Sequence, residues 1–194
     1  MGSLVIQKSV NASSLPAGWE SKSIGMPDAS GTANFYNGLF VLKNSGLDIW
    51  GKRDQFQFAY MPMSGNHTII ARVISIQYTD YWAKAGIMIR ESLDDDSTCI
   101  ALVMSVMQNL LFQFRPAGEE TDAIIKNNLA FPIYIKLIRQ GNIFFGCYSE
   151  KGKTWHEIGQ QTLPMKSNVY IGLASTSHNN AETGTAMLDK VTVI

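Results

Sequence analysis

The run Trp82-Ala83-Lys84-Ala85-Gly86-Ile87-Met88-Ile89-Arg90 alternates with a period of two. Successive side chains of an extended chain point to opposite faces, so Ala83, Ala85, Ile87 and Ile89 share one side. Trp82, Lys84, Met88 and Arg90 share the other. The run is therefore a strand with a small, apolar inward face. Its outward face carries a Trp, a Lys and an Arg in one line, which predicts a curved sheet face that is open and used.

The same period runs through most of the chain. Phe56, Phe58 and Tyr60 alternate with Gln55, Gln57 and Met61. Further β-branched or aromatic runs span residues 35–42, 68–76, 98–106, 110–115, 132–139, 143–149, 169–176 and 185–193. Asn37-Gly38 is a two-residue hairpin signal, because both turn positions need positive φ. Gln140-Gly141-Asn142 and Lys151-Gly152-Lys153 punctuate the second half in the same way. No stretch sustains a 3.6-residue period. On the order of a dozen short strands with turns between them predict an all-β fold, a two-sheet antiparallel jelly-roll sandwich. With no repeat, linker or charge shift, residues 1–194 read as one domain, with residues 1–12 as a lead-in strand.

Charge narrows the partners. The 16 basic and 16 acidic residues cancel, and no Lys/Arg cluster occurs along the 194 residues. A protein held on nucleic acid or anionic lipid needs such a cluster. No apolar run approaches the roughly 18 residues of a membrane span. Neither a nucleic acid nor a membrane is expected as a partner. Cys99 and Cys147, both in apolar strand-like runs, read as buried free thiols rather than a disulfide framework. Met1-Gly2-Ser3-Leu4-Val5-Ile6 lacks the basic segment and long apolar run of a signal peptide. Two readings stay open: a cytoplasmic chain, or one whose export signal has been removed.

Catalytic patterns fail one by one. His156-Glu157-Ile158-Gly159-Gln160 begins like a zinc-protease motif, but Gln160 stands where the second His belongs and the segment reads as a strand. There is no nucleophile elbow and no phosphate-binding loop. No strand carries the alternating acids that a β-sandwich glycosidase would use to flank its scissile bond. Asp94-Asp95-Asp96 reads as a solvated turn rather than a Ca²⁺ site. Neither a cofactor nor a metal is expected. Tyr81-Trp82-Ala83-Lys84-Ala85-Gly86 has the Lys-Ala-Gly of some jelly-roll alginate lyases without their Gln-x-His or Arg-x-Glu-x-Arg strands, so a lyase or hydrolase is a minor alternative.

Several segments, taken in order, carry a resemblance. They are Leu15-Pro16-Ala17-Gly18-Trp19, Asp48-Ile49-Trp50-Gly51, Asp54 with Phe56 and Phe58, Trp82 to Leu93, Phe112-Gln113, Thr154-Trp155 and Ile171 to His178. Together they resemble the concanavalin A-like (laminin-G-type) jelly-roll modules of secreted bacterial multimodular proteins, often attached to carbohydrate-active enzymes. The resemblance covers nearly the whole chain after the first dozen residues. It implies two packed antiparallel sheets, no catalytic apparatus, an extracellular setting and a glycan or other small polar ligand. The Ser149 to Trp155 turn resembles a sialidase Asp box, with Lys151 where an Asp is usual.

The expected ligand-binding residues are Trp82, Lys84, Arg90, Gln57, Asp48, Trp50 and His178. Aromatic rings stack on the apolar faces of sugars, while Lys and Arg hydrogen-bond hydroxyls or carboxylates. Arg90 has a structural alternative, pairing with a carboxylate such as Asp48 or Asp54. Trp50 is either a sugar platform or a plug at a sheet edge. Gln57 stands where the resemblance places polar groups beside the Phe-Phe-Tyr face. His178, beside Asn179-Asn180, either rims the ligand cleft or caps a turn. Trp19 and Trp155 read as packing. The other function class kept open is a standalone intracellular interaction or regulatory protein on the same sandwich.

Overall fold

The computed structural model describes residues 14–194, so the expected lead-in strand over residues 1–12 lies outside the described residues. The described strands are β1 (Glu20–Ile24), β2 (Thr32–Tyr36), β3 (Leu39–Asn44), β4 (Phe56–Ser64), β5 (His67–Ile76), β6 (Lys84–Arg90) and β7 (Cys99–Ser105). They continue with β8 (Leu110–Arg115), β9 (Asp122–Lys126), β10 (Ile133–Gln140), β11 (Ile143–Ser149), β12 (His156–Thr162), β13 (Asn168–Thr176) and β14 (Gly184–Val193). No helix occurs among the described residues. The 37–38 turn joins β2 to β3 with Asn37 at φ 50° and Gly38 at φ 90°, the left-handed pair that this hairpin demands.

Two antiparallel sheets result. The first runs β1-β4-β13-β6-β7-β8-β9 and the second β12-β11-β10-β5-β14-β3-β2. Between them lies the main core. Ala85, Ile87 and Ile89 of β6, with Leu102 and Phe112, pack against Ile69 and Val73 of β5 and Ile135 and Leu137 of β10. Each large side chain withdrawn from water here stabilises the fold by about 1.5–3 kcal/mol. The face chosen by the alternation of β6 is the one the core takes.

The outer face of the first sheet holds a second apolar cluster. Phe56, Phe58 and Tyr60 of β4 join Met88, Val103, Leu111 and Ala174 there, together with Ile49 from the 45–55 loop. That loop crosses the sheet and closes off part of the face. Beneath it, Asp54 receives both Arg115, with Nη2 2.6 Å from Oδ2, and Arg90, with Nη1 3.2 Å from the same oxygen; none of the three side chains is exposed. Arg90 also donates to the carbonyls of Ser92 and Asp94, and Arg115 to those of Gly51, Asp95 and Ser97.

Two expectations are corrected here. Arg90 does not join Trp82 and Lys84 on a ligand-facing strip; it is fully buried and spends its guanidinium on Asp54 and two loop carbonyls. Gln57 is also inside, 1% exposed on the Ala59 side of β4, where its Oε1 accepts the Ser23 hydroxyl at 2.8 Å. Neither side chain can reach a ligand at the surface. Asp189 is taken up by Arg72 in a two-pronged pair of 2.7 and 2.5 Å. Cys99 and Cys147 are free and buried.

Candidate functional site

The remaining predicted residues come from three places in the chain, and local structure fixes each. On the 45–55 loop, Ile49 plugs the outer cluster while its carbonyl accepts the Gln113 amide at 3.0 Å. The Gly51 carbonyl accepts both the Thr121 hydroxyl (2.9 Å) and Arg115 Nη1 (3.3 Å). Asp48 and Trp50 flank this anchor, so both are held in place although they lie on a loop. Lys84 opens β6 opposite Thr176, the last residue of β13. His178 follows two residues later at φ 53°, its N–H donated to Thr176 Oγ1 at 3.3 Å. Trp82 sits just before β6, where Asp80 Oδ1 accepts its N–H at 2.8 Å.

These groups converge on an open pocket of about 390 Å³ at one end of the outer face of the first sheet. Its polar centre is a linked set. Lys84 Nζ lies 2.6 Å from Asp48 Oδ1, which also accepts the Ile49 N–H at 2.7 Å. His178 Nδ1 lies 3.2 Å from Asp48 Oδ2 without hydrogen-bond alignment, and Nε2 lies 3.9 Å from Asp80 Oδ1. Lys84 is only 2% exposed, and an ammonium buried this far persists in charged form only when it is paired. Asp48 supplies the pair. Nζ also lies 5.9 Å from the Trp50 ring centroid, within reach of a cation–π attraction.

Around that centre the walls are apolar. Trp50 and Trp82 are 41% and 44% exposed, large rings half open to water. Leu111 of β8 and Ile125 of β9 complete the lining. Five predicted residues (Asp48, Trp50, Trp82, Lys84 and His178) therefore share one cavity, while Arg90 and Gln57 lie elsewhere. His178 both lines the cavity and closes a turn. Leu111 and Ile125 have no signal as ligand contacts in the sequence, since each stands in an ordinary apolar run. Asp80 was equally silent as a turn residue. A larger groove of about 510 Å³ runs along Pro62, Met63, Ser64 and Tyr170, but its carboxylate, Glu91, already accepts the Lys166 N–H at 2.5 Å.

No protein-family model and no curated protein matches the chain in sequence. Solved structures do match in shape. A functionally unknown protein from Saccharomyces cerevisiae superposes with a TM-score of 0.72 at 15% identity, over 91% of this chain and 96% of that one. A carbohydrate-binding module from Bacillus subtilis, CBM66, gives 0.60 at 14% identity, over 94% and 96%. An alginate lyase from Corynebacterium sp. gives 0.60 at 12% identity, over 91% and 93%. The fold is a concanavalin A-like jelly roll. At these identities the likeness is one of fold, which carries binding modules and enzymes alike.

Proposed function

We propose that this chain is a non-catalytic module that binds carbohydrate in the pocket formed by Asp48, Trp50, Trp82, Lys84 and His178. One observation carries the proposal: two half-exposed indole rings stand beside an ordered Lys–Asp–His set in a single pocket. Indole faces cover the C–H faces of sugar rings, and the polar set meets ring hydroxyls. The backbone beside both rings is tied down, at Ile49 and Gly51 for Trp50 and at the Trp82 N–H, which limits the ordering entropy lost on binding. With one shallow pocket, affinity is modest.

The residues of the chain act together as one module, of the kind found in secreted bacterial multimodular proteins. Geometry supports binding over the lyase alternative, in which Lys84 or Tyr60 would carry turnover, because Tyr60 does not line the Lys84 pocket. Its hydroxyl donates to Glu20 at 3.0 Å, and burial, with Glu20 beside it, pushes its pKa up to about 12. It is poorly suited to shuttle a proton near neutrality.

The test is a glycan array probed with wild type, Trp82→Ala and Trp50→Ala. Retention of at least one glycan by wild type, with loss of about tenfold or more in either folded variant, supports the reading. An array on which wild type retains nothing, or on which both variants bind as wild type does, rejects it.

A further inference from the structure

The polar groups of the pocket differ in what they have left to offer. Asp48 Oδ1 is spent on Lys84 and the Ile49 N–H, whereas Oδ2 faces His178 out of line and keeps its lone pairs. Asp80, beside the pocket rather than in its lining and 3.9 Å from His178 Nε2, uses Oδ1 on the Trp82 N–H and leaves its second oxygen. The Lys84 charge is 2% exposed and already faced by a carboxylate at 2.6 Å. Among the described residues, the pocket thus offers mainly hydrogen-bond acceptors, with the His178 imidazole beside them.

Formal charge points the same way. Lys84 contributes one positive charge, Asp48 and the neighbouring Asp80 one negative charge each, so the set is not positive in either form of His178. A uronate or sulfate brings only acceptors and a negative charge, and would meet the Asp48 carboxylate with Asp80 close by, while the Lys84 ammonium is already paired. An ammonium would instead share the Trp50 ring and the pocket with the Lys84 charge, 5.9 Å from the ring centroid. A hydroxyl donates a proton without bringing a charge, and it satisfies Asp48 Oδ2 directly.

We infer that the pocket selects an uncharged oligosaccharide and discriminates against acidic and cationic ones. The inference rests on the carbohydrate-binding reading above and adds the class of ligand. Because no net charge is exchanged, binding is nearly independent of salt.

The full chain is tested against three sets of soluble probes in affinity gels and isotherms. These are neutral (β-glucan, galactomannan, xylan), acidic (alginate, polygalacturonate) and cationic (chitosan oligosaccharides). The expected result is retention of a neutral probe, with acidic and cationic probes at least about tenfold weaker. Its affinity changes by less than about twofold on a tenfold rise in salt. Asp80→Asn, at the exposed rim, and Asp48→Asn, each checked for a native melting profile, narrow the gap between neutral and acidic probes. Equal or tighter binding of an acidic or cationic probe by wild type overturns the inference and leaves carbohydrate binding standing. So does an unchanged gap in both folded variants. Failure of every probe removes the carbohydrate reading itself, and the inference with it.

Discussion

Arg115 and Asp54 meet in a two-pronged ion pair, Nη1 to Oδ1 at 2.8 Å and Nη2 to Oδ2 at 2.6 Å, with no part of either side chain exposed. Arg90 reaches the same carboxylate from β6. One acid on the 45–55 loop thus binds two adjoining regions of the first sheet to the loop that carries Asp48 and Trp50. The ion cluster serves the binding site by holding its loop rather than by touching a ligand.

Removing that acid strands two guanidinium groups in the interior. Asp54→Ala is expected to destabilise the fold by about 3–5 kcal/mol, the usual loss when one partner of a buried pair is deleted. Denaturant titration of the variant checks this. A loss below about 1 kcal/mol would show that the cluster is solvated.

Gly86 lies where two strands leave no room for a side chain. A Cβ built there would sit 2.1 Å from the Leu102 carbonyl oxygen, and the backbone atom cannot swing away. Gly86→Ala is expected to cost about 1–3 kcal/mol by overpacking, read as a lowered melting temperature. Gly38→Ala separates the two effects, because nothing lies within 4 Å of the Cβ it would add and any loss it shows is backbone strain at φ 90° rather than crowding.

His67 makes stability depend on pH. It is 3% exposed with both ring nitrogens lacking a hydrogen-bond partner, and burial, reinforced by Arg139, pushes its pKa from 6.5 down to about 4. The unfolded chain therefore binds a proton that the folded chain refuses between those values. Its contribution is fully present above pH 6.5 and is lost as pH falls toward 4, by up to about 3 kcal/mol. Unfolding free energies of wild type and His67→Phe across that window should diverge, wild type showing the steeper fall. Parallel curves would contradict the assignment.

Cys99 should be inert in the native protein. Burial, followed by the nearby Asp54 charge, raises its thiol to about 11, so at pH 8 only about one molecule in a thousand is thiolate. A thiol reagent added at pH 8 is expected to modify Cys99 only after denaturant is present. Rapid modification of the folded protein, mapped by mass spectrometry, would refute this.

Legibility in the sequence followed burial. β8 and β11 occupy the residues read from alternation, and β6 buries the face its small residues marked. β1 and β9 were not legible. Both are edge strands with mostly exposed side chains, so Glu20–Ile24 and Asp122–Lys126 carry little hydrophobic period. The consequence reached the pocket, because Ile125 enters it from β9. The pocket residues were legible where unusual types stood together, Trp82 two positions before Lys84 at the start of β6 and Asp48-x-Trp50 on a loop, with His178 just after β13. Arg90 and Gln57 misled because alternation tells which face a side chain takes, never what later covers that face.

The sequence by itself determined the period, and with it the strands, their inward faces and the all-β sandwich, since a two-residue repeat admits no other backbone that buries those residues together. Only the tertiary structure decided which polar residues stay at the surface. The 45–55 loop folds back over the first sheet, sealing Arg90 with Asp54 and pairing the nearly buried Lys84 with a partly exposed Asp48 at the pocket. That outcome depends on contacts between residues 36 positions apart for each of these two pairs, and such contacts exist only once the sheet has formed a floor for the loop to cross.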